Sequence, residues 1–229
     1  MVPVINRLAE RFDHIALTQD WHPPGHSSFA TSHPGANPFE THRACHMASK
    51  PFGPTIAGQG TTGAAFHPQL ATERAELVIR KGFRPEIDSY SAFYENDRRT
   101  PTGLAGYLRE RGLQRIFLAG LATDYCVYYS AVDARRLGFD TVLIEAGCRA
   151  IDLAGSLDVA WAAMAAAGVQ RVDDLLAPRL LCGPCRPVRH STGCNDFRAQ
   201  LTRIVVRCRI AVCRDQRKRV RLRHDRDRA

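Results

Sequence analysis

Short apolar runs alternate with helical segments that stop at glycine through most of this 229-residue chain, and that alternation restricts the fold more than any other feature. His14 to Thr18, Leu77 to Arg80, Ile116 to Ala119, Thr141 to Ile144 and Val169 to Val172 read as strands. Pro3 to Phe12 carries Val4, Ile5, Leu8 and Phe12 at helical spacing. Gly103 to Arg111, Tyr125 to Leu137 and Ser156 to Ala167 read as helices closed by Gly112, Gly138 and Gly168. Strands separated by helices predict a mostly parallel sheet covered on both faces, a three-layer αβα domain over residues 1–175. Ligands of such sheets bind beyond the carboxyl ends of the strands. The segments after Thr18, Arg80 and Ala119 are therefore expected to converge. Gln19 to Pro68, rich in Pro, Gly, His and Thr, has no sustained periodicity and reads as a long functional loop.

Charge divides the chain unevenly. The net charge is +9, yet Cys182 to Ala229 alone holds fourteen Lys/Arg against four Asp. A near-neutral body thus carries a strongly basic tail, 176–229, expected to be disordered. Five of the eight cysteines lie in that tail. The body keeps only Cys45, Cys126 and Cys148, too few for a disulfide framework, so catalysis or burial is the expected use. No apolar run approaches the ~18 residues of a membrane span, and Met1 to Arg11 lacks a signal-peptide core. The expected address is cytoplasmic, with no membrane partner.

Three segments at strand ends bear chemistry. Asp20-Trp21-His22-Pro23, followed by His26, offers a carboxylate and imidazoles that can hold one divalent metal; a capped turn with a solvated His22 is the alternative. Lys81 closes a strand, where its ammonium could sit beside a thiolate or simply face solvent. In Gly120-Leu121-Ala122-Thr123-Asp124-Tyr125-Cys126-Val127 an apolar strand meets a tight turn and a helix. Cys126 at that helix tip suits a nucleophile facing backbone N–H groups, or a buried structural thiol.

Together these segments, with Asp88-Ser89-Tyr90-Ser91-Ala92-Phe93, Gly63-Ala64-Ala65-Phe66-His67-Pro68 and Gly147-Cys148-Arg149-Ala150, resemble the nicotinamidases among the isochorismatase-like cysteine hydrolases. The similarity spans Val2 to Val172. It implies an amidohydrolase of pyridine nucleotide (NAD) salvage that converts nicotinamide to nicotinate and ammonia through a cysteine thioester; another amidohydrolase of the superfamily is the alternative. By the resemblance Cys126 is the nucleophile and Lys81 stabilises its thiolate. Asp20, His22 and His26 hold one divalent ion (Zn, Fe or Mn), which receives the pyridine nitrogen. The N–H groups of Ala122 and Cys126 form the oxyanion hole, with a cis peptide before Ala122. Tyr90, Phe93 and Trp21 contact the substrate ring.

Three departures from the family's pattern predict an impaired enzyme. Met1 falls after the position of the family's first strand, whose aspartate shuttles protons, so the sheet is expected to lack a central strand and show a groove there. Loss of a general acid costs ~10²–10⁴ in rate. Between Thr41 and Gly58 the family carries Trp-Pro-x-His-Cys, which contributes a metal-binding histidine; here Cys45 to Ala57 is unrelated and Ile56 stands at the imidazole's place. Synonymous codons for this segment, read two bases later, restore Trp-Pro-Asp-His-Cys, compatible with a compensated frameshift that sequencing the DNA from Glu40 to Gly63 would decide. The tail is Arg-rich and Cys-rich, as GC-rich sequence translated out of phase would be. A nucleic-acid arm and a zinc site at Cys182 and Cys185 with Cys194 or His190 are its alternatives. The tail has neither interleaved aromatics nor a second Cys-x-x-Cys to favour them.

Overall fold

The computed structural model describes residues 1–37, 41–42, 50–51, 57–173 and 203–208. Helix α1 (Val2–Ala9) opens the chain. Its proline lies in the first turn, where no N–H is needed. Strand β1 (His14–Asp20) follows, buried along nearly its whole length. The long loop holds a 3₁₀ turn at Ala30–Ser32 and a short antiparallel ladder of β2 (Thr41–His42) with β3 (Lys50–Pro51). Then come β4 (Leu77–Lys81), α2 (Leu104–Glu110) and β5 (Arg115–Leu121). A π-helical turn, Thr123–Val127, leads into α3 (Tyr128–Arg136), followed by β6 (Asp140–Arg149), α4 (Ser156–Ala166) and β7 (Gln170–Val172).

The main sheet is parallel at every described pairing, in the order β4-β1-β8-β5-β6-β7, where β8 is Arg203–Cys208. Alternate residues of β5 serve opposite faces, as a pleated strand requires. Ile116 and Leu118 pack with Leu104, Leu108, Val127, Ala131, Leu143 and Met164, beneath α2, α3 and α4. Phe117 packs with Leu8, Phe12, Ile15 and Leu17 on the α1 side. The three expected layers are present. The helix after β5 ends as anticipated, with Gly138 at φ +91°, a backbone region costly for residues bearing a Cβ.

Of the tail, for which disorder is expected, only residues 203–208 are described, and these form a strand; the rest lies outside the described residues. The groove expected between β1 and β5 is the slot this strand fills: Val205 registers with Ile15 on one side and Phe117 on the other. The physical reason is the demand of two buried strand edges for backbone partners, met by a segment whose centre, Ile204-Val205-Val206, is β-branched. The Cys45 to Ile56 stretch, including its unusual Ile56, lies outside the described residues except for Lys50 and Pro51. The candidate zinc site at Cys182, Cys185, His190 and Cys194 also lies outside them.

Candidate active site

β1, β4 and β5 each run further toward their carboxyl ends than apolar patterning alone suggests. Register pairs Asp20 with Lys81 as the last residues of adjacent strands. Lys81 is fully buried, so the reading of it as a surface lysine fails. Its ammonium donates to the carbonyl of Ser89 at 2.9 Å, approaches the Cys126 sulfur at 3.5 Å and forms an ion pair with Asp20. A buried ammonium needs such anionic and carbonyl partners, because leaving it uncompensated costs several kcal/mol.

Cys126 sits in the π-turn, half-buried. The Ala122 carbonyl accepts from the N–H groups of Tyr125 and Val127 at 3.1 and 3.0 Å, curling the chain around the thiol. The Leu121–Ala122 peptide is cis. Ser130 donates to the Cys126 carbonyl at 2.6 Å and accepts from the Ala92 N–H at 2.8 Å, tying the turn to the 88–93 loop. Asp124, two residues before the thiol, is a strut. Its carboxylate accepts from Ile151 N–H, Asp152 N–H and the Ser156 hydroxyl at 3.0, 2.8 and 2.6 Å, anchoring the turn to the start of α4.

The imidazoles gather beside this centre. His22 and His26 are buried, not solvated, with ring centroids 4.1 Å apart. Phe29 lies edge-on to His22 at 5.6 Å. Backbone links His22 N to Ala57 O and Gln59 N to His22 O, both 2.9 Å, lace this turn to the loop after Ile56. His22 Nδ1 lies 2.8 Å from the Gly82 carbonyl and donates to it in the neutral tautomer that leaves Nε2 for a ligand. Burial lowers the His22 pKa below its ordinary value despite Asp20 and Asp88 nearby, so the ring is neutral, as a metal ligand must be. Gly82, at φ +63°, is the only residue type that fits under it: a Cβ there would lie 2.4 Å from His22 Cε1. His26 is held by Ser28, through its hydroxyl at 2.7 Å and its N–H at 3.2 Å on Nδ1. Among the described residues, one set of donor atoms lies mutually within 4.8 Å, from His22, His26 and Asp88. Two imidazoles and a carboxylate in a buried cluster fit a divalent ion.

The remaining expected site residues divide. Tyr90 lies near the thiol turn: its ring stacks on Tyr129 at 5.2 Å and neighbours Tyr125 at 5.6 Å. Burial first, then the negative charge of Asp88 and Cys126, push its phenol well above the usual value and keep it neutral. Trp21 lies with its ring 3.8 Å from the Arg80 guanidinium carbon. Phe93 is a core residue, 1% exposed and stacked on Phe139 at 5.8 Å. Sequence reasoning assigned no role to Asp88, Asp124 or Ser130. Asp88 lies within the 88–93 motif, but nothing periodic marks a loop carboxylate as a neighbour of the imidazoles.

A thiol at the tip of a strand–turn–helix, with a buried ammonium 3.5 Å away, is an arrangement suited to nucleophilic attack on a carbonyl within a parallel α/β fold. Comparison with known proteins makes this specific. The chain belongs to the isochorismatase family, whose domain matches residues 1–174. It is 49% identical over 177 residues to a nicotinamidase of Acinetobacter baylyi, covering 75% of this chain and 80% of that one. A solved nicotinamidase–pyrazinamidase of Acinetobacter baumanii superposes with a TM-score of 0.73 at 51% identity, covering 75% of this chain and 82% of the other. A pyrazinamidase of Pyrococcus horikoshii, solved in complex with zinc, gives 0.59 at 29% identity over 75% and 83% of the two chains.

Proposed function

We propose that this chain is a nicotinamidase, hydrolysing nicotinamide to nicotinate and ammonia with Cys126 as nucleophile. The observation that carries the reading is the Lys81 ammonium 3.5 Å from the Cys126 sulfur, beside a buried two-histidine, one-carboxylate cluster. The similarity to nicotinamidases over three quarters of the chain supports the same substrate.

Lys81 holds the thiolate by charge. The thiolate attacks the carboxamide carbon, forming a C–S bond, and the N–H groups of Ala122 and Cys126 receive the negative charge on oxygen. The C–N bond breaks, ammonia leaves with the proton given up by the Cys126 thiol, and water hydrolyses the thioester to nicotinate, returning one of its protons to the thiol. Tyr90, neutral and stacked among aromatic rings, flanks the planar substrate. His22, His26 and a carboxylate would hold a divalent ion, which would supply a Lewis-acidic contact for the pyridine nitrogen. The zinc-bound structural relative supports such an ion, and a cytoplasmic place in pyridine nucleotide salvage goes with this activity. Among the described residues no helix is long and apolar enough to cross a membrane.

The test is ammonia release from nicotinamide by the full chain supplied with a divalent metal. Slow release, as expected of an impaired enzyme, that disappears in Cys126→Ala is the expected result. Release at the same rate in both proteins would sink the assignment.

A further inference from the structure

Both halves of the site lean on backbone carbonyls of the loop that follows β4. The Gly82 carbonyl lies 2.8 Å from His22 Nδ1, and the Ser89 carbonyl accepts from the Lys81 ammonium at 2.9 Å. Facing both residues is a buried acid to which the chemistry above gives no task. Glu95 is 2% exposed. Burial raises its pKa above the ordinary value, and the groups that oppose this rise are the Ser89 hydroxyl, the Gly82 N–H and the charges of Lys81 and Arg84. Its carboxyl thus meets the two residues whose carbonyls orient the imidazole and the ammonium. We propose that Glu95 is a positioning residue of this site, tying Gly82 to Ser89 so that one buried side chain aims both His22 and Lys81. The inference rests on the cysteine-hydrolase and metal readings above and gives their two halves a common support.

The surroundings of Glu95 suit that task. A self-closed turn fixes its backbone: its N–H donates to the Thr100 carbonyl and its carbonyl accepts from the Arg98 N–H, both at 2.9 Å. Asp97 locks the same turn, accepting from the N–H groups of Arg99 and Thr100 at 2.9 Å and from the Thr100 hydroxyl at 2.7 Å. Asn96 donates its N–H to the Asp88 carbonyl at 2.8 Å and accepts from the Tyr90 N–H at 2.9 Å, so the turn is fastened on either side of Ser89. Glu95 Oε2 and the Ser89 hydroxyl are buried and make no hydrogen bond among the described residues. Buried polar atoms rarely stay unpaired, and a small approach of these two satisfies both. At Gly82 there is no slack, because a Cβ there would already lie 2.4 Å from His22 Cε1. A loop that shifts at Gly82 must move the His22 ring, and one that shifts at Ser89 must move a partner of Lys81.

The experiment compares full-length wild type, Glu95→Leu and Glu95→Gln with two readouts. The rate of Cys126 alkylation by iodoacetamide across pH, followed by mass spectrometry of its peptide, reports the Lys81 contact. Calorimetric titration with zinc ion alone reports His22. Glu95→Leu, which keeps the volume and loses the acceptors, should raise the pH midpoint of Cys126 alkylation by about one unit and weaken zinc binding about tenfold. Glu95→Gln, which keeps an acceptor oxygen for the Gly82 N–H, should recover most of both losses. A Glu95→Leu protein with either readout at the wild-type value, whatever its Tm, overturns the proposal, as does a Glu95→Gln no better than Glu95→Leu. If Glu95→Leu does not fold, Ser89→Ala carries the test, since it removes the hydroxyl and keeps the carbonyl. It should raise the alkylation midpoint while zinc affinity stays near that of wild type; an unchanged midpoint overturns the proposal. A wild-type midpoint at the ordinary thiol value of about 8.5, or wild type that takes up no zinc, would instead overturn the reading of the site beneath it.

Discussion

The thiol half and the imidazole half of this site are built in different ways. Cys126 and Lys81 stand where regular elements end, one on a turn closing β5 and the other as the last residue of β4. His22, His26 and Asp88 lie in loops beyond β1 and β4, held by contacts to Gly82, Ser28 and Ala57. Groups carried by a sheet inherit its rigidity. Groups carried by loops depend on single local contacts, so one substitution can detach them without unfolding the domain.

The largest expected effect is on the thiol side. Cys126→Ala removes the nucleophile and should lower ammonia release by about 10⁴-fold or more, with the Tm little changed. A variant retaining a tenth of the activity would assign the chemistry elsewhere. Lys81→Met removes the ammonium paired with the buried Asp20 and should cost about 3–5 kcal/mol of stability, read from urea unfolding. A loss below about 1 kcal/mol would mean that the ion pair is not a structural tie.

On the imidazole side the damage should be functional first. Gly82→Ala pushes a Cβ into the His22 ring and should weaken zinc binding by about 10–100-fold with a smaller loss of stability. Unchanged affinity would show that His22 is not a ligand. Asp124→Ala frees two N–H groups and a hydroxyl and should destabilise by about 1–3 kcal/mol; equal stability would remove its role as strut. The smallest effect concerns pH in the metal-free protein. His22 titrates below its unfolded value of 6.5 because burial disfavours its charged form. Below pH 6.5 the unfolded chain therefore binds more protons than the folded one. The His22 contribution is present above pH 6.5 and is lost as pH falls through the lower folded value. Tm measured from pH 7.5 down to 5 should fall more steeply in wild type than in His22→Gln; parallel curves would contradict the burial argument.

The same division governs what the sequence disclosed. Apolar period and glycine stops located β1, β4, β5 and α2 to α4 to within a few residues, and the amino-terminal half of β6, which runs on to Arg149, because those signals are the physics of the elements themselves. Cys126 and Lys81 were legible for the same reason, since each sits at a strand's end. Asp88 was not, because its use depends on a loop folding back over residues sixty positions earlier, which no local pattern records. Phe93 was read as a pocket residue, but an aromatic in a motif does not reveal which way its ring packs. Nor did the basic character of the tail disclose β8. Composition described that segment alone, whereas its place follows from the open edges of β1 and β5.

That placement has a consequence for how the chain is made. His14 and Ile204 are Cα partners in the finished sheet although about 190 residues separate them. In the described sheet β4 and β1 form one ribbon and β5, β6 and β7 another, and residues 203–208 are the strand that joins them. Assembly must then close the longest loop last, a slow and aggregation-exposed step. The sulfur on one ribbon and the ammonium on the other are thus brought together across a strand contributed by residues 203–208.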